Sequence, residues 1–266
     1  VTPLERRSFL FGALGGVGIG AAAGLGTKYM SQAGRYAHPP LVGKLSYAQQ
    51  GEDLILENEL TFLGIGKPSY IDIGAHDPIA GNNTYAFYKN ASRGVLVEPN
   101  PALTPRLRQV RPEDVVLEIG IGPNAADEEA NYYVMDGDGQ GNTFSEDQVR
   151  KLRAAYKRDV VSKIIKRKLC NINKVLGEHF PAGGPDLFST DTEGYDLVIL
   201  RSLDFDRFRP KVFCVETLDG LEVDRDILNH MQSKDFDVRG GTFVNTIFVD
   251  NRYVRDLEKR RSASPP

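Results

Sequence analysis

Two short apolar runs constrain this chain most. Tyr70-Ile71-Asp72-Ile73 leads into Gly74-Ala75-His76-Asp77, and Val95-Leu96-Val97 leads into Glu98-Pro99-Asn100. Each run is too short for a helix and ends in a turn residue or an acid. Such runs are the first two strands of a doubly wound sheet, with Glu98 at the offset where an acid reads a ribose. Gly74 lets the chain turn sharply and lets a ligand approach the backbone. The turn has no G-x-G-x-x-G, so the glycines that bring a backbone against a pyrophosphate are missing.

Other runs read the same way. Residues 115–119 form a third strand, residues 186–190 end at Asp191 with Glu193 just beyond, and residues 211–215 end at Glu216. If the strands are parallel, their carboxyl ends share one edge, which carries Asp72, Glu98, Asp191, Glu193 and Glu216. Clustered carboxylates repel phosphates and attract cations. NAD and ATP fit poorly there, which disfavours a nucleotide-dependent oxidoreductase. S-adenosylmethionine fits: it has no phosphate, and it carries a ribose diol, an ammonium group and a positive sulfonium. The competing reading of each acid is a solvated turn residue.

Through these and neighbouring residues the chain resembles the FkbM-type methyltransferases, a branch of the Rossmann-like enzymes that use S-adenosylmethionine. The matching pieces are Ser46-Tyr47-Ala48-Gln49-Gln50-Gly51-Glu52-Asp53, residues 70–78, Asn82-Asn83-Thr84 and Val97-Glu98-Pro99-Asn100-Pro101. Further on come residues 189–196 and 209–216, all in family order. The resemblance implies an α/β fold with a doubly wound, mostly parallel seven-stranded sheet whose last strand is antiparallel. It also implies O-methylation of a hydroxyl on a sugar, glycolipid or similar metabolite.

In that frame Asp72 and Gly74 hold the methionine portion of the donor, and Ala75 and His76 line the turn. Glu98 holds the ribose beside Pro99 and Asn100, and Ile119 lies at the adenine, in a stretch more glycine-rich than the family pattern. Glu52 and Asn83 complete the donor side. Asp191 and Glu193 are the candidates for base or acceptor orientation, since neighbouring carboxylates raise one another's pKa. The alternative for Glu193 is to cap the helix starting near Gly194. His76 is a second base candidate, because histidine titrates near neutrality; its alternative is to pack in the turn. No metal site is assigned. Residues 136–142 only partly imitate a calcium loop, since Gln140 and Asp147 stand at ligand positions; a flexible acceptor-side loop fits them better.

Residues 1–37 read differently from the rest. Glu5-Arg6-Arg7-Ser8-Phe9-Leu10-Phe11 precedes a Gly/Ala-rich apolar run and resembles a twin-arginine export signal. The run is also near the length that spans a bilayer. Because the methyl donor is made in the cytoplasm, three resolutions stand: an uncleaved anchor with a cytoplasmic catalytic domain, a true export signal on a protein that no longer uses the donor, or an extension from a misassigned start. Membrane association with a cytoplasmic catalytic domain is favoured. The alternative function is an exported or anchored glycan-binding protein without catalysis.

Residues 38–45 read as a linker, 46–252 as the methyltransferase domain and 253–266 as a flexible tail. An insert at 145–170 reads as helical and basic, either a solvated face or a contact for an anionic membrane or glycolipid. The net charge of −3 gives no sign of nucleic-acid binding, and two cysteines make no disulfide framework.

Overall fold

The computed structural model describes residues 43–137 and 139–263. Packing divides the chain into residues 1–45 and 46–266. The twin-arginine-like segment lies outside the described residues. Among the described residues no helix is long and apolar enough to cross a membrane.

The chain runs α1 (Glu52–Phe62), β1 (Tyr70–Ile73), α2 (Tyr85–Lys89), β2 (Gly94–Val97), α3 (Thr104–Val110), β3 (Val115–Leu117), β4 (Gly120–Gly122) and β5 (Glu128–Met135). It continues α4 (Glu146–Tyr156), β6 (Val161–Asn171), α5 (Ile172–His179), β7 (Leu187–Thr190), α6 (Asp196–Ser202) and β8 (Val212–Glu216). A hairpin of β9 (Leu218–Asp219) and β10 (Glu222–Val223) precedes α7 (Arg225–Ser233), β11 (Phe236–Gly241), β12 (Asn245–Asp250) and α8 (Asn251–Ala263).

Seven strands form the main sheet in the order β11-β12-β8-β7-β1-β2-β3. β12, the last strand in sequence, is antiparallel to both neighbours. The other pairings are parallel. Strand order reverses between β1 and β7, the switch point where doubly wound sheets take ligands. The central strands are buried on both faces, which explains their continuous apolar runs. One face packs Ile71, Val95, Phe188, Phe213 and Phe248 into the larger core. The other packs Tyr70, Leu96, Leu187, Val212, Cys214 and Ile247 against Leu56 and Leu60 of α1.

Three expectations are corrected. The insert at 145–170 is helical only in its first half: α4 stops at Lys157, whose φ is 52°. The second half is β6, the middle strand of a three-stranded sheet β4-β6-β5. Its β-branched residues favour a strand once β5 supplies a partner. The third main-sheet strand stops at Leu117, and Gly120–Gly122 pairs with β6 instead. The tail is not loose up to Ala263: residues 251–263 form α8, with Val254 buried and Tyr253 and Leu257 packed on the core. That short apolar stripe is enough to dock a helix whose other residues are charged.

Of the nine cations in the insert, Arg150, Lys151, Arg153, Arg158, Arg167 and Lys168 are ion-paired. Lys157, Lys163 and Lys166 are exposed.

Candidate active site

The donor side is built by the turns after β1 and β2. Gly74 has a φ of 85°, and the amides of Gly74 and Ala75 donate to the Val97 carbonyl at 2.9 and 3.2 Å. A Cβ at Gly74 would overlap the backbone carbonyl of Asp191. This corrects the reading of the glycine as space for a ligand: the side a Cβ would occupy is filled by the end of β7. The Asp191 amide, donating to the Ile73 carbonyl at 3.0 Å, draws the two turns together.

Glu98 is buried, and its carboxylate accepts the His76 amide at 3.0 Å and the Asn100 amide at 2.7 Å. Burial raises its pKa, and the two amides oppose that rise. His76, at a φ of 45°, therefore meets Glu98 through its backbone. Pro99 is buried. The Asn100 side chain accepts the Ala102 amide at 3.0 Å and shapes the entry to α3. Ile119 is partly exposed and packs on the larger core.

Beneath the first turn lies a polar network. Asp72 accepts the Thr84 hydroxyl at 2.7 Å and the Asn82 amide group at 3.3 Å. Asn82 also donates to the Ala75 carbonyl at 3.1 Å. Arg111 is fully buried and donates to Asp114 at 2.8 Å, Asn82 at 3.0 Å, the Tyr70 hydroxyl at 2.8 Å and Thr84 at 3.0 Å. Burial raises the Asp72 pKa, and the Arg111 charge and the hydroxyl and amide donors oppose it. Asn83 reaches across to the Ser189 hydroxyl at 3.3 Å and the Cys214 sulfur at 3.6 Å. Glu52 is fully buried and clasps the β11–β12 turn through Thr242 at 2.7 Å and Asn245 at 3.1 Å.

The other half is acidic. One carboxylate oxygen from each of Asp191, Glu193 and Glu216 lies within 4.8 Å of the others. The Glu193 amide donates to Glu216 at 3.1 Å, and Glu193 itself holds a φ of 55°. A non-glycine residue at such a φ stores backbone strain, a recurring feature of functional sites.

Glu193 does not cap α6. The N-cap of that helix is Tyr195, without a side-chain cap, and the Asp196 carboxylate turns back to the end of β7, accepting the Thr190 hydroxyl at 2.6 Å and the Thr192 amide at 3.3 Å. Burial and the Asp196 charge push Asp191 up to about 6, against a hydrogen bond with Glu216. Burial, followed by the charges of Asp191 and Glu193, pushes Glu216 well above the usual carboxylate range. Carboxylates this close do not all ionise unaided: they share a proton or hold a cation. An all-oxygen set is of the kind that takes magnesium or calcium.

The two halves converge. The charge on Asp72 raises the pKa of both Glu98 and Asp191. Tyr132, on β5, feels both Glu98 and Glu193, and its ring lies 4.7 Å from that of Phe144. The rim acids thus fall within electrostatic reach of one another. Sequence reasoning placed Glu216 on the rim without a role and missed Tyr132, Asp196 and Arg111. Tyr132 stands in a short run, residues 131–135, that reads only as an extra strand. Nothing local marked Arg111.

The FkbM methyltransferase domain matches residues 72–238. Among curated proteins none matches the chain. Among solved structures, a putative O-methyltransferase from Klebsiella pneumoniae is 10% identical, with a TM-score of 0.40 over 92% of this chain and 96% of that one. A TehB-like SAM-dependent methyltransferase from Corynebacterium glutamicum is 11% identical, with a TM-score of 0.39 over 85% and 95%. A 1,6-didemethyltoxoflavin-N1-methyltransferase from Burkholderia thailandensis is 11% identical, with a TM-score of 0.38 over 87% and 91%. The chain belongs to the FkbM methyltransferase family, and its methyl donor is S-adenosylmethionine.

Proposed function

We propose that the protein is an O-methyltransferase acting on a hydroxyl of a sugar, glycolipid or similar small metabolite. The observation that carries this reading is the Asp191–Glu193–Glu216 trio, set within electrostatic reach of the donor-side acids Asp72 and Glu98.

The residues present fit the donor. The edge offers carboxylates and no phosphate cradle, so a cationic, phosphate-free ligand is the one it attracts. Glu98 uses one lone pair on each oxygen for a backbone amide and keeps acceptor capacity for ribose hydroxyls. The Gly74–His76 turn would hold the methionine portion. When bound, the donor supplies an electrophilic methyl group on a positive sulfur.

A sugar hydroxyl is a poor nucleophile, so a base on its proton helps. Asp191, with a pKa near 6, is ionised at neutral pH yet basic enough to take that proton. Glu216, which keeps its own proton to higher pH, hydrogen-bonds Asp191 and steadies it as an anion. Glu193 would orient the acceptor. Alignment of acceptor oxygen and methyl carbon supplies much of the remaining acceleration.

Residues 1–37 would hold the protein at a membrane, with the catalytic domain on the cytoplasmic side where the donor is made. Lys157, Lys163 and Lys166 are among the exposed cations of the insert that an anionic surface would meet. The test is transfer of labelled methyl from S-adenosylmethionine to lipid and polysaccharide fractions. Label on an oxygen, abolished by Asp191→Asn, supports the reading. Label on nitrogen, or full turnover by Asp191→Asn, defeats it.

A further inference from the structure

We propose that Arg111 is a positioning residue for donor binding, acting through the Asn82 side chain. Arg111 is fully buried, and its donors reach four residues on three segments: Tyr70 on β1, Asn82 and Thr84 in the loop before α2, and Asp114 ahead of β3. Its guanidinium also lies between the rings of Tyr70 and Tyr88, at 5.3 and 5.2 Å from their centroids. A planar fork with five N–H groups serves such a set; an ammonium does not.

Asn82 is the member that links this anchor to the donor turn. Its carboxamide oxygen accepts from Arg111 at 3.0 Å and from the Thr84 amide at 3.0 Å. Its nitrogen then points the other way, to Asp72 at 3.3 Å and to the Ala75 carbonyl at 3.1 Å. Turning the amide over would set N–H groups against the guanidinium and oxygen against two acceptors, so Arg111 fixes which end faces the turn. The turn it braces is Gly74-Ala75-His76, whose last amide fixes Glu98. A buried cation some distance from the ligand thereby sets the shape of the surface the donor meets.

This inference rests on the donor lying against the Gly74 turn and Glu98, and the experiment separates the two. S-adenosylmethionine affinity of the full chain is measured by titration calorimetry, well below each variant's unfolding transition. The proteins are wild type, Glu98→Ala, Arg111→Lys, Asn82→Ala and the Arg111→Lys/Asn82→Ala double variant. Arg111→Lys and Asn82→Ala should each weaken binding at least tenfold, and the double variant should bind no worse than Asn82→Ala. A general loss of structure would not give that non-additivity. Losses that simply multiply, or an Arg111→Lys protein with wild-type affinity, would overturn the role of Arg111.

If Arg111→Lys does not fold, Asn82→Asp carries the test, since it keeps oxygens for the guanidinium and loses the donor to Ala75. Affinity as weak as that of Asn82→Ala supports the inference, and wild-type affinity overturns it. Wild-type affinity in Glu98→Ala would instead mean that the donor binds elsewhere.

Discussion

Asp72 and Asp191 lie at the ends of adjacent strands of one sheet, and their surroundings are opposite. Asp72 is ringed by donors: a hydroxyl, a carboxamide and the nearby guanidinium of Arg111. Asp191 is ringed by acids, with Glu193 and Glu216 beside it and Asp196 behind. The first is compensated and braces the turn above it. The second lacks compensation, which is what prepares a carboxylate to take a proton. Two aspartates that read alike in sequence acquire different work from their neighbours.

The largest expected effect breaks the compensated side. Arg111→Met would strand Asp114 and Asp72 in the interior without their cation. It should cost about 3–5 kcal/mol in denaturant unfolding. A loss under about 1 kcal/mol would mean that the network is not held by its charge.

The next effect falls on the uncompensated side. Asp191→Asn should lower kcat by roughly 10²–10⁴ while leaving donor affinity unchanged. A retained kcat would move the base elsewhere.

The smallest effect is in stability and separates the two regions by pH. The folded pKa values of Asp191 and Glu216 are raised, so both protons favour the folded state. That contribution is complete below the unfolded carboxylate pKa and is lost as pH rises through the folded values, from about 6 upward. Glu216→Gln removes part of the penalty. It should raise Tm at alkaline pH by a few degrees, roughly 2–4 °C per kcal/mol in a domain of this size. The gain should shrink toward mildly acidic pH. An equal shift at every pH would show that the trio stores no charge penalty. Over the same range kcat should climb through about pH 6 as Asp191 ionises.

What the sequence disclosed were features written in adjacent residues. An apolar run closing on an acid is local, so the edge bearing Asp72, Glu98, Asp191, Glu193 and Glu216 was legible; the antiparallel final strand followed from the family resemblance. Arg111 was not, because Tyr70 and the Asn82–Thr84 loop become its neighbours only in the fold. β6 was hidden by Lys163, Lys166, Arg167 and Lys168, whose charges imitate a solvated helix until β5 pairs with them. α8 was hidden in the same way, since only Tyr253, Val254 and Leu257 dock an otherwise mostly charged helix. Gly74 was legible as a turn, but its close neighbour Asp191 comes from the far side of the switch point.

The central claim is that the donor sits on this acidic edge against Glu98, and calorimetric titration of S-adenosylmethionine into wild type and Glu98→Ala tests it most directly. The account predicts saturable binding to wild type and at least tenfold weaker binding to Glu98→Ala, a difference of about 1.4 kcal/mol or more. Equal affinity in the two proteins would contradict it.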